Sequence, residues 1–269
     1  MIAWIIALIA GCAAFAAASC VADIGYGWSA FLAVVAFGAC QIIVGLFVRK
    51  RVTAEMNKVQ AILADGQKRL QQKMQRWQMR PPGSIKEAQR EIAADTAAFV
   101  KEALAQTSAL EKFRLWVPLM DRQIATARLQ LNWMTKDFAA VDTLFDKAIF
   151  VDPTLSCMKM ARMQMLDRPI EEIRKVYNKG VRRVRYNGNV LLAATMSWIE
   201  VKRGLTDAAF KTLTEALKKS DDETLKRNHE CLMNNRVSHF SNSGLGDVWY
   251  SLYLEEPRVR AQRQRPVFR

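Results

Sequence analysis

The apolar positions of this chain follow two different spacing rules on either side of Val48. Before it, Ile2–Ala22 and Trp28–Val48 are each 21 residues without a charge, and polar residues do not recur at helical spacing. At ~1.5 Å per helical residue each stretch spans ~31 Å, the thickness of a bilayer core. Asp23-Ile24-Gly25-Tyr26-Gly27 separates them, and its Asp and two glycines suit a tight polar turn. Residues 1–51 are therefore expected to form a transmembrane hairpin of two helices.

Beyond Val48 the pattern becomes amphipathic. Met56, Leu63, Leu70 and Trp77 recur every seventh position, with Val52 and Val59 four ahead of the first two, and this second column runs on as Gly66 and Lys73. Such a heptad seam fits a coiled-coil-like surface, and hence a homo-oligomer, or an amphipathic extension of the second span lying on its own neighbours. Arg80-Pro81-Pro82-Gly83 stops this stalk, because proline lacks the N–H and clashes with the preceding turn. The stalk thus covers residues 52–83. Ser84 with Glu87 three positions on reads as a capping box, and Ile85, Ala88, Ile92, Phe99 and Ala103 line one face of the helix it opens. Ser108 with Glu111 reads as a second box, opening a short segment that ends near Pro118. Residues 84–118 are connecting helices.

From Leu119 to Pro257 the chain reads as helix pairs. Phe138, Ile170 and Thr206 stand at the entrance of three second helices; Phe145, Tyr177 and Leu213 follow seven residues later, and Ala148, Gly180 and Ala216 three after that. Bulky residues recur where a groove needs filling and small ones one turn on, where helices would approach closest. Asp152-Pro153 is read as the end of the first unit. A helix–turn–helix period of this length resembles the tetratricopeptide repeat family. Asp137-Phe138, Phe145, Lys147-Ala148 and Asp152-Pro153 carry the resemblance in the first copy, and Gly204, Ala209, Leu213 and Ala216-Leu217 in the third. The middle copy, from about Thr154 to Tyr186, retains Tyr177 and Gly180. Ala125 and Leu129, and Ala193 and Ser197, stand where the family carries its Trp and Leu-Gly. The resemblance implies an all-α solenoid that presents a groove to a protein partner and performs no catalysis.

Charge adds an orientation. Every one of the 40 Lys and Arg residues lies after Val48, together with every acid except Asp23, and the formal net charge is +14. Arg49, Lys50 and Arg51 follow the second span at once, whereas the turn between the spans has no positive charge, so both ends of the hairpin are expected in the cytoplasm. A bacterial inner-membrane protein with a cytoplasmic helical domain fits this pattern. The excess charge favours anionic lipid along the basic stalk, an acidic protein partner or nucleic acid. Residues 258–269 hold five arginines and no acid and are expected to be disordered.

Candidate chemistry is sparse. Phosphate-loop, zinc-protease, nucleophile-elbow and dinucleotide motifs do not occur, and no cofactor site is expected. His229 and His239 flank Cys231 without a zinc-like spacing, and are read as surface or packed side chains. The five cysteines lack a disulfide-framework spacing and fit a reducing compartment. Ile9-Ala10-Gly11-Cys12 has the form of a lipobox, which makes lipidation at Cys12 an alternative anchor, although no basic residue precedes it and an apolar run follows. In Ser241–Pro257 the loop Gly244–Asp247 suits a backbone turn, and Trp249, Tyr250, Leu252, Tyr253 and Leu254 suit a helix that caps the last repeat. A membrane-tethered nucleic-acid binder is the second functional candidate after a protein scaffold.

Overall fold

The computed structural model describes residues 2–20, 25–80, 83–184 and 189–257. The Asp23 turn, the Pro81-Pro82 break, Tyr186 and the arginine-rich tail lie outside them. Among the described residues the chain is helical, with no strand, and it divides into two compact units, Met1–Ile149 and Phe150–Arg269.

In the first unit, α1 (Ile2–Cys20) and α2 (Tyr26–Met79) form an antiparallel hairpin. Small residues make it close: Ala3, Ala7, Gly11 and Ala18 are the buried positions of α1, and a Cβ on Gly11 would lie 3.2 Å from the Ala33 carbonyl oxygen of α2. Large side chains point the other way, with Trp4, Ile5, Leu8, Ile9, Val34, Ile42 and Leu46 exposed. Only 22% and 6% of the most apolar stretches of the two helices are buried. Both are long and apolar enough to cross a membrane.

Helix α2 continues without a break from the second apolar stretch to Met79, so residues 52–79 extend that helix. Helix α3 (Ile85–Thr107) runs back along it. Ser84 caps α3 by accepting the Glu87 backbone N–H at 3.1 Å. The heptad seam is covered by this chain itself: Val59, Ile62, Leu63 and Leu70 pack on Phe99, Val100, Ala103 and Leu104 of α3, joined by Leu131 and Met134 of α4 (Met120–Met134). Nearer the apolar hairpin, Val52 and Met56, with Phe113 and Val117, pack on Leu110, Met120 and Ile124. Gly66 and Lys73, where the seam lapses in hydrophobicity, also face α3. Gly66 receives the Phe99 ring, and Lys73 Nζ lies 2.7 Å from Asp95 and 2.8 Å from Glu91. The Ser108 box does not form. The chain passes from α3 into a 3₁₀ turn, Ser108–Phe113, and the Ser108 hydroxyl donates to the Ala105 carbonyl at 2.7 Å. With no break after Thr107, that serine is still inside a helical stretch and bonds backwards. Helix α5 (Phe138–Leu144) completes the unit, capped by Asp137, which accepts the Ala140 N–H at 3.1 Å.

The second unit contains α6 (Pro153–Met165), α7 (Ile170–Arg183), α8 (Asn189–Lys202), α9 (Thr206–Leu217), α10 (Glu223–Met233) and the short α11 (Asp247–Tyr250). Helix α8 packs on α6, α7, α9 and α10, and accordingly every residue from Leu192 to Glu200 is buried. Asp152-Pro153 opens α6 instead of closing a helix: Asp152 accepts the Thr154 N–H at 2.9 Å and Pro153 takes the first helical position, where its missing N–H costs nothing. Acids at Glu171 and Glu172 and bases at Arg182 and Arg183 match the dipole of α7.

Candidate interaction site

The positions singled out in the sequence fall at helix starts, in buried clusters and, for two of them, beyond the end of a helix. Phe138, Ile170 and Thr206 are the first residues of α5, α7 and α9. In the second unit, Leu213 and Ala216 are buried in a cluster with Ala193, Ala194 and Leu225. Gly180 is buried where α6 and α8 converge, its absent Cβ position 3.1 Å from Leu192 and 3.3 Å from Ser156. Tyr177 is half-buried, and burial first, then Glu200 and Glu215, push its hydroxyl up to about 12. In the first unit, Phe145 and Ala148 are buried but lie beyond the end of α5, in a turn held by the Ala148 N–H to the Leu144 carbonyl at 3.0 Å.

A buried carboxylate ties three helices of the second unit together. Glu200 of α8 is 1% exposed; it accepts from Arg174 of α7 at 2.7 Å and from Thr212 of α9 at 2.8 Å. The sequence signal was present, since Glu200 is the one acid in the apolar run of α8, and a charge placed there needs partners. Thr195 on the same helix bonds the thiol of Cys157 from α6, whose burial nevertheless pushes it up to about 12.

Ser241–Pro257 closes the second unit, though not as the helix expected from its aromatics. Gly246 adopts φ +62° and Tyr253 φ +56°, and helical backbone is limited to a 3₁₀ turn at Ser243–Leu245 and the short α-helix Asp247–Tyr250. Asn228 and Asn242, both fully buried, hold the loop: Asn228 donates to Asn242 at 2.7 Å and accepts the Ser241 N–H at 3.0 Å, and Asn242 donates to the Ala194 carbonyl at 2.9 Å. Gly244 sits on Thr224, leaving no room for a side chain. Trp249 is buried edge-on against Trp198. These contacts anchor the Gly244–Asp247 turn at both ends, with Gly244 and Asp247 themselves exposed. Beside it Arg227, Arg236, His239, Ser241 and Ser243 line a shallow cleft.

His229 stacks on Phe210 with ring centroids 4.4 Å apart, and its Nε2 lies 3.0 Å from the Thr214 hydroxyl. His239 is exposed in a 3₁₀ turn. Among the described residues no three His, Cys, Asp or Glu side chains converge as a ligand set. In the first unit Arg49, Lys50 and Arg51 are exposed directly after the apolar stretch of α2, with the Arg51 guanidinium over the Phe47 ring at 5.1 Å. Cys12 is exposed midway along α1. No family model, curated protein or solved structure matches the chain.

Proposed function

We propose that the chain is a membrane-anchored, non-catalytic scaffold whose helix pairs, of tetratricopeptide-like design, bind a protein partner on the cytoplasmic side. The observation that carries this reading is Gly180: a small residue ten positions into the second helix of a pair, enclosed by the first helix of its own pair and the first helix of the next. That is the close approach a stacked repeat requires, and it recurs as Ala216. The cleft of Arg227, Arg236 and His239, with the hydroxyls of Ser241 and Ser243, favours a partner segment rich in carboxylates. Arg49-Lys50-Arg51 supports the orientation.

Photocrosslinkers placed at Lys211 and Arg236 of the full chain, activated in intact cells, test the reading. A discrete protein adduct that survives nuclease supports the scaffold. Adducts that nuclease removes favour the nucleic-acid binder. Reporters after Val52 that read external overturn the orientation, and fatty-acid incorporation lost in Cys12→Ser establishes the lipoprotein alternative.

A further inference from the structure

Resting on the membrane-anchored reading, we infer that the segment Phe113–Leu119 is a third membrane contact, an interfacial foot that dips into the bilayer surface beside the helical hairpin. Its position follows from connectivity. Helix α3 returns along α2, as the pairs Gly66 with Phe99 and Glu55 with Gln106 (3.0 Å) show, so the chain comes back to the level where the apolar hairpin ends. There the Ile2 N–H, on the first residue of α1, donates to the Leu115 carbonyl at 3.1 Å. Phe113 and Val117 pack inward against Leu110, Met120 and Ile124, the same cluster that receives Val52 and Met56, one to two turns past the apolar stretch of α2.

The opposite face of this segment is what the bilayer meets. Leu115 is 57% exposed and Leu119 59% exposed, two apolar side chains turned outward from a loop that carries no acid. The local backbone is tied by the Trp116 and Val117 N–H groups, both donating to the Phe113 carbonyl at 3.0 Å, so the outward direction of Leu115 is fixed. Trp116 is half-buried in the same stretch, and tryptophan is the residue that favours the headgroup level. Lys112, Arg114 and the Arg49–Arg51 cluster supply positive charge around it, against Glu55, Glu111 and Asp121. With Lys112 paired to Glu55 and Arg114 to Asp121, the excess positive charge is that of Arg49–Arg51, and apolar tips beside such a cluster suit an anionic lipid surface.

The same geometry limits the lipid contact expected of the basic stalk. Because α2 is continuous, Lys68 to Arg80 are carried ~30 Å or more beyond Val48, outside the reach of headgroups. The lipid-facing charge is then the cluster at the base, and the foot fixes the hairpin's exit against rotation and tilt.

The full chain in phosphatidylethanolamine–phosphatidylglycerol vesicles doped with a phospholipid carrying an acyl-chain diazirine tests this, with adducts mapped by mass spectrometry. Adducts are expected within residues 2–48 and within 113–119, the latter several-fold above those in 190–233. Leu115→Glu with Leu119→Glu should cut labelling of the segment several-fold and leave labelling of 2–48 unchanged. Adducts in 2–48 with only background in 113–119, or segment labelling indifferent to the double substitution, overturn the foot and leave the membrane anchor standing. Absence of adducts in 2–48 overturns the anchor itself.

Discussion

Phe99 of α3 lies directly over Gly66 of α2: a Cβ at Gly66 would run into the Phe99 Cγ and lie 2.9 Å from its Cβ. The second contact is decisive. A ring can rotate aside, but the Cβ of Phe99 moves only if the α3 backbone moves. Gly66→Ala therefore sets a gain of ~1 kcal/mol in helix propensity against overpacking of ~1–3 kcal/mol, and the clash prevails. The purified chain in detergent should unfold at lower temperature with Gly66→Ala, and further still with Gly66→Leu. Combined with Phe99→Ala, which vacates the space, Gly66→Ala should cost less than it does alone. Additive losses would show that the two helices do not meet here.

That pair also shows where the sequence was legible. Helical periodicity located α2 and α3 and the face of each that is buried, because periodicity reports on burial. It could not name what covers a face: the seam from Val52 to Leu70 reads the same whether the neighbour is α3 or a second copy. Gly66 and Lys73 looked like lapses in a hydrophobic column, yet one admits a ring and the other is held between Asp95 and Glu91, whose hydrogen bonds raise its pKa. Backbone sign was equally hidden. Tyr253 adopts positive φ, and an aromatic run that reads as helix stops at Tyr250. The buried asparagines that hold the closing loop, Asn228 of α10 and Asn242, carry no periodic signal, since what defines them is each other.

The proposed repeat register makes a stability prediction in each unit. Ala216 is 1% exposed and Ala148 8% exposed, and glutamate at either site adds both bulk and an unpaired charge. Each substitution should cost ~3 kcal/mol or more, read as a lowered thermal midpoint. Ala139→Glu, on the exposed side of α5, is the control and should change little. An Ala216→Glu protein that melts with the parent would show that α9 does not meet its neighbours at this position.

Cys157 gives a pH prediction. Its thiol is fully buried and pushed up to about 12, so the folded state keeps its proton where an unfolded chain has lost it. The associated stability is complete below the unfolded pKa of about 8.5 and declines as pH rises towards the folded value, by at most ~1.4 kcal/mol per pH unit. Tyr177, pushed up to about 12 as well, adds to the same loss above pH ~10. Cys157→Ala should flatten the early part of that alkaline decline, measured by urea unfolding between pH 8 and 11. Alkylation at pH 8 should reach Cys157 only after denaturation. Rapid modification of the folded protein would show that α6 and α8 do not enclose it.

Glu255 offers the sharpest test of how the second unit is closed. Its Oε1 accepts the Trp198 indole N–H and its Oε2 the Trp249 indole N–H, both at 2.8 Å, so one carboxylate serves two tryptophans that are themselves packed edge to face. Trp249 is fully buried and Trp198 nearly so. Removing the carboxylate strands two indole donors, and each buried donor left without an acceptor costs ~1–3 kcal/mol. Glu255→Gln keeps one acceptor oxygen and presents an amide N–H₂ to the other indole, so it should recover only part of the loss. Glu255→Ala should therefore destabilise more than Glu255→Gln, and Trp249→Phe, which removes a donor along with its need, should make the glutamate's removal cheaper. Tryptophan fluorescence supplies a second readout: water entering at the vacated carboxylate should shift emission to the red in Glu255→Ala without global unfolding. Equal stability and unchanged emission in Glu255→Ala would mean that Ser241–Pro257 does not lock onto α8, and the closure of the helical array would have to be sought elsewhere.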